Sequence, residues 1–156
     1  MHRQALIVGG GIGGLCAAIC LRLTGWDVQV FEQAPEITEI GAGLQISPNG
    51  VKILEHIGVM ERLEPAVFEP EAIEIRMGVS GRPILYLPMK GVAAQRWGAR
   101  YLQVHRADLI TALSARLDAL QPGATQTGCP VRGYAPCKDG AEVILANGRR
   151  IQADFV

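Results

Sequence analysis

The sequence predicts an α/β fold that opens on a parallel βαβ unit. Three observations carry this: an apolar run, a glycine turn leading into a helical stretch, and a second apolar run. Leu6, Ile7 and Val8 suit a buried parallel strand. Gly9, Gly11 and Gly14 follow at the spacing G-x-G-x-x-G. Leu15 to Leu23 continue as a helix, Val28 to Phe31 make the second strand, and Glu32 closes the unit.

Each glycine in this turn has a physical task. Gly9 permits the tight exit from the strand, Gly11 lets a ligand approach the backbone, and Gly14 lets the helix lie close to the sheet. Amides at the helix start then face outward, where the helix dipole favours a pyrophosphate. Glu32 lies 18 residues after Gly14, close to the spacing of about 20 at which an acid meets an adenosine ribose. A carboxylate there accepts hydrogen bonds from both ribose hydroxyls and repels a 2′-phosphate, so FAD or NAD is expected over NADP. The alternative reading is an ordinary structural glycine turn.

Bulk properties set limits. The 156 residues are one domain's worth, and an apolar share of 49% is far from that of a disordered chain. Fifteen basic residues balance fifteen acidic ones, which points away from a nucleic-acid surface or a polybasic membrane patch. Cys16 and Cys20 share a helix face among apolar neighbours and are expected as small core residues. With Cys129 and Cys137 they form neither a zinc pattern nor a disulfide framework, so no metal is expected and a reducing, cytoplasmic setting is. The glycines from Gly9 to Gly14 interrupt what would otherwise resemble a signal peptide, and no uninterrupted membrane-length apolar run is present.

The rest of the chain reads in order. Residues 33–40 form a loop, and Gly41 to Ile46 a glycine turn entering an extended segment. Ser47 is an expected N-cap and Pro48 a first helical residue. The helix runs through Val51, Ile53, Leu54 and Ile57 at helical spacing, stops at Gly58, and precedes a short helix at Met60 to Leu63. Residues 71–77 alternate as a strand, Ser80-Gly81 turns, and Pro83 to Leu87 is a second strand of edge character. Lys90 to Gly98 reads as loop and Tyr101 to Val104 as strand. A helix from Arg106 shows Leu109, Ile110, Leu113 and Leu117 on one face, until Pro122-Gly123. Val131 to Tyr134 is a strand. Val143 to Leu145 and Arg149 to Ile151 flank Asn147-Gly148, a type I′ hairpin signal. Ala153 to Val156 opens one more strand.

Three segments together resemble the FAD-dependent aromatic-ring monooxygenases, the single-component flavoprotein hydroxylases similar to salicylate hydroxylase and 3-hydroxybenzoate 6-hydroxylase. They are Gly9 to Gly14 with Glu32, Gly41-Ala42-Gly43-Leu44-Gln45-Ile46-Ser47-Pro48-Asn49-Gly50, and Val104-His105-Arg106-Ala107-Asp108-Leu109. The resemblance implies a Rossmann-like FAD-binding βαβ core with a β-rich insertion. Its parts are the core and following helix at 1–70, the insertion at 71–104, and a helix plus meander at 105–156. It also implies roles. Gly9, Gly11, Ile12, Gly13 and Gly14 hold the pyrophosphate, and Glu32 with Gln33 the adenosine. The backbone of Ala42 and Gly43 follows the flavin side, Arg106 pairs with the cofactor, and Val131 borders the adenine.

The implied reaction is hydroxylation of a small phenol or hydroxybenzoate through a flavin hydroperoxide, with O2 and with NAD(P)H as a transient electron donor. An Asp-Gly segment expected after Val156, and a later Gly-Asp segment, are absent. The chain is therefore expected to be the N-terminal part of a longer enzyme, truncated before the substrate-domain sheet is complete and inactive alone. No catalytic residue is named. Trp97 and Tyr101 are candidates to touch substrate, with a structural role as the alternative. Two other readings stay open: an FAD- or NAD-linked oxidoreductase of another type, amine oxidase-like, and a non-catalytic truncated remnant.

Overall fold

The computed structural model describes residues 3–37 and 42–156. In chain order its elements are β1 (Gln4–Val8), α1 (Ile12–Leu23), β2 (Asp27–Phe31), β3 (Gly43–Ile46), α2 (Pro48–His56), α3 (Met60–Leu63), β4 (Val67–Phe68), β5 (Ala72–Arg76) and β6 (Pro83–Pro88). There follow α4 (Val92–Trp97), β7 (Leu102–His105), α5 (Arg106–Leu120), β8 (Thr125–Gln126), β9 (Val131–Cys137), β10 (Gly140–Leu145) and β11 (Arg150–Ala153). They divide into two units, Met1–Ile40 with Leu109–Val156, and Gly41–Asp108.

In the first unit β1 and β2 pair in parallel from Gln4↔Asp27 to Val8↔Phe31, and β8 extends the sheet beyond β2. Beyond β1, Phe155 bridges Ala5 in parallel. Side chains alternate across a strand, so the two faces of this sheet have separate cores. Leu6 and Phe31 pack with Val143, Leu145 and Ala153 of the antiparallel meander β9-β10-β11. Ala5, Val28 and Val30 fall on the opposite face, where α1 buries Leu15, Ala18 and Ile19.

The outer edge of β2 is closed by an unusual means. The Gln121 side chain accepts from Val28 N–H at 3.0 Å and donates to Val28 C=O at 2.8 Å, so one amide side chain replaces a strand residue. Further along, Val30 N–H donates to Ala124 O and Glu32 N–H to Gln126 O, both at 2.8 Å. These bonds satisfy an edge that would otherwise be left open.

The second unit holds the antiparallel sheet β3-β7-β4 and the separate two-stranded ribbon β5-β6. Met89, Ala93 and Tyr101 form a small core with Ile73 and Leu87 against it.

Several local expectations change. Residues 92–97 are helical rather than loop, because Gly91 and Gly98, both at positive φ, bracket Val92–Trp97. Among the described residues only glycines have positive φ, so Asn147 does not form a type I′ turn. Gly148 N–H donates to Leu145 O and Leu145 N–H to Arg149 O, with Gly148 alone at positive φ, which is the bulged hairpin form. Ile53 faces solvent at 51% exposure, since the buried stripe of α2 runs through Val51 and Leu54. Ser47 is the N-cap, but its hydroxyl donates to Asn49 Oδ1 at 2.5 Å instead of receiving a helix amide. Cys20 is exposed and Cys16 half-buried, because the inward face of α1 is taken by Leu15, Ala18 and Ile19. Residues 38–41, and with them Gly41, lie outside the described residues.

Candidate functional site

The turn between β1 and α1 shows which glycines the protein itself requires. Gly9 has φ +104°, a conformation that L side chains rarely adopt. A Cβ on Gly14 would lie 1.9 Å from the Gly9 carbonyl oxygen, so the helix can approach the strand only without one. Gly11 differs. Its φ is −75°, open to any residue, and a Cβ there would meet nothing within 4 Å. The same open space surrounds Gly13. Nothing in the fold demands glycine at these two positions, whereas a ligand lying on the backbone would.

Gly11 caps α1 without a side-chain hydrogen bond, and the first turn holds no acidic residue. The first turn of an α-helix leaves its amides without intrahelical partners. The 12-residue α1 directs its positive dipole end at this turn.

Glu32 stands at the end of β2, across from the turn. Its Oε2 accepts from Gly10 N–H at 2.6 Å and its Oε1 from Ala34 N–H at 2.8 Å. The Ala34 amide above all, with those of Gly10 and Gln33, holds the carboxyl below its usual range against the opposing pull of partial burial. Glu32 is thus an oriented anion. A carboxylate has about four lone-pair sites, so these amides leave room for an outside donor.

Val8, Gly9, Phe31, Glu32, Gln33 and Val131 line a cleft of about 180 Å³. Four of these, Gly9, Glu32, Gln33 and Val131, are residues singled out from sequence. Gly11, Ile12, Gly13 and Gly14 lie beside it in the turn and the first turn of α1. Ala42, Gly43 and Arg106 belong to the second unit. There Arg106 N–H donates to Ala42 O at 3.2 Å, and Gly43 pairs with His105 across β3 and β7. Arg106 is the first residue of α5, with Asp108 in the same turn.

Sequence reading missed Gly10 and Ala34, whose amides orient Glu32, and also Val8 and Phe31, which wall the cleft. The signal for Gly10 was present as the middle of three consecutive glycines, Gly9 to Gly11. A Cβ there would come within 3.1 Å of Glu32 Cβ.

Strand, open glycine turn, helix start and oriented acid together define a dinucleotide-binding unit. The chain belongs to the FAD binding domain family, which it matches over residues 2–137. It is 35% identical over 150 residues to 3-amino-4-hydroxybenzoate 2-monooxygenase of Streptomyces cremeus, covering 96% of this chain and 37% of that protein. It is 38% identical to 6-hydroxynicotinate 3-monooxygenase of Pseudomonas fluorescens, covering 96% of this chain and 38% of the relative. Among solved structures, Klebsiella pneumoniae HpxO complexed with FAD and uric acid superposes at a TM-score of 0.80 with 30% identity, over 98% of this chain and 38% of that one. The chain thus spans well under half the length of these relatives. Among the described residues no helix is long and apolar enough to cross a membrane.

Proposed function

We propose that this chain is the FAD-holding part of an NAD(P)H-dependent flavoprotein monooxygenase that hydroxylates a small aromatic ring with O2. The carrying observation is the pairing of an oriented Glu32 carboxylate with a glycine turn whose Gly11 and Gly13 face open space. Relatives named as monooxygenases of hydroxybenzoate and hydroxynicotinate type support the aromatic substrate class.

Each residue then has a stated task. The amides of Ile12, Gly13 and Gly14, with Gly11, receive the pyrophosphate at the dipole's positive end. Glu32 accepts from the adenosine ribose, and Gln33 and Val131 border the adenine across the cleft. In the second unit the backbone of Ala42 and Gly43 follows the flavin side, and Arg106 offers a cation to the phosphates. A cation in the first turn of a helix opposes the dipole, and a neighbouring phosphate removes that conflict. Bound FAD supplies the redox and oxygen chemistry, while the protein supplies binding, orientation and electrostatics.

The test is reconstitution of the protein with FAD, followed by titration of its visible spectrum. Saturable binding that weakens in Glu32→Gln and Gly11→Ala supports the reading. Flavin content indifferent to both substitutions removes it. Aromatic-dependent oxygen uptake with NADH or NADPH, in the longest polypeptide the gene encodes, tests the reaction class.

A further inference from the structure

The helix α1 carries two cysteines that the dinucleotide reading leaves without a task. Cys16 is half-buried and Cys20 exposed, four residues apart within Ile12–Leu23. Residues at this spacing stand one above the other on a helix face. The pair lies beside the stripe of Leu15, Ala18 and Ile19 that packs inward. The residues three positions before each cysteine, Gly13 and Ala17, are small and exposed. The helix itself therefore places nothing bulky over the two thiols.

Spacing decides what such thiols can do. Side chains four apart on a helix have Cβ atoms about 5–6 Å apart. A disulfide needs Cβ atoms about 3.5–4.5 Å apart, so the helix keeps the two sulfurs close but out of reach of a bond to each other. A single ion between them fits this separation. Two metal–sulfur bonds of about 2.3 Å, set in line, span about 4.6 Å.

The donor set then selects the ion. Structural zinc takes four ligands. Among the described residues no group of three or more His, Cys, Asp or Glu side chains could hold a metal ion. Copper(I) is soft, is selected by thiolates, and is satisfied by two of them in line. Charge points the same way. Burial pushes the Cys16 thiol up, and the neighbouring Cys20 pushes it further, because two thiolates side by side repel. A cation shared by both sulfurs removes that repulsion.

We propose that Cys16 and Cys20 form a two-coordinate thiolate site for copper(I) on the flank of α1. On binding, each thiol gives up its proton to solvent and two sulfur–copper bonds form. The copper stays copper(I), and the complex carries one net negative charge. The inference rests on α1 alone and goes beyond the FAD reading.

The probe is copper(I), presented without oxygen as its bicinchoninate complex, whose colour fades as the protein withdraws the ion. The intact protein is expected to withdraw one tight equivalent, and weakly buffered solution should acidify as it does. Cys16→Ser and Cys20→Ser should each lose that equivalent, whereas the double variant Cys129→Ser/Cys137→Ser should keep it. X-ray absorption on the loaded protein should show two sulfur neighbours around copper. Cys20 is exposed and serine is close to it in size, so Cys20→Ser is expected to fold, with circular dichroism as the check. A tight equivalent that survives Cys20→Ser, that disappears with Cys129 and Cys137, or that shows more than two sulfur neighbours would each overturn the proposal. FAD titration of Cys20→Ser separates the two readings. Copper lost with flavin binding kept supports both, and copper kept with flavin binding kept defeats this one alone.

Discussion

At the scale of single residues, the β1–α1 turn separates Gly9 and Gly14, which the fold requires as glycine, from Gly11 and Gly13, which it does not. Gly14→Ala drives a methyl against the Gly9 carbonyl and is expected to cost about 1–3 kcal/mol, the range of overpacking in a tight contact. Gly11→Ala meets open space at an ordinary φ and should cost less than about 1 kcal/mol as an N-cap change. Urea unfolding of the two variants, alongside FAD titration, should show Gly14→Ala failing in stability and Gly11→Ala failing in cofactor affinity. Glu32 makes a second test at this scale. Its carboxyl is lowered in the fold, chiefly by the Ala34 amide, so the anion favours the folded state. That contribution is complete above the unfolded carboxyl's pKa of about 4.3 and is lost as pH falls through the lowered folded value. The melting-temperature gap between wild type and Glu32→Gln should therefore hold steady from neutral pH to mildly acidic pH and close on further acidification. A gap that widened in acid would contradict the geometry.

At the scale of elements, the edge of β2 depends on a side chain 93 residues away in sequence. Gln121→Leu leaves the amide and carbonyl of buried Val28 without their partner, and a buried polar group so stranded costs about 1–3 kcal/mol. Hydrogen exchange should accelerate at Val28 more than at Val30, which keeps its bond to Ala124. Legibility also varies element by element. The helices α1, α2 and α5 were readable because their apolar spacing is regular and their ends carry glycine or proline signals. The helix α4 was not, because Val92–Trp97 is short, carries only Ala93 fully buried, and is fixed by two glycine caps that also read as loop residues. The two-residue strands β4 and β8 left no periodic trace at all. They exist as strands only because neighbours offer them a ladder.

For the whole molecule, stability is expected to be uneven. The ribbon β5-β6 has only two strands and exposes apolar side chains, with Ile84 at 60% and Tyr86 at 63% exposure. Two-stranded ribbons are marginal on their own, and local opening follows low burial. Amides of β5 and β6 should exchange well before those of β1 and β2, whose sheet is packed on both faces. Equal protection of the two would contradict this and show that a further surface covers the ribbon. The charge balance, fifteen against fifteen, leaves such a patch little electrostatic protection from self-association.

The sequence by itself determined the βαβ unit, the glycine turn and the acid after it, because each is encoded by spacing within one local stretch. It also marked Trp97 and Tyr101 as candidates to touch substrate, with a structural role as the alternative. Tertiary structure alone decided that Val131 and Glu32 line one cleft, that Gly10 and Ala34 aim that carboxylate, and that Lys52, Trp97 and Tyr101 line another cavity. The reason is physical: local periodicity sets which element forms, whereas these meetings depend on chain closure and side-chain packing between segments far apart in sequence.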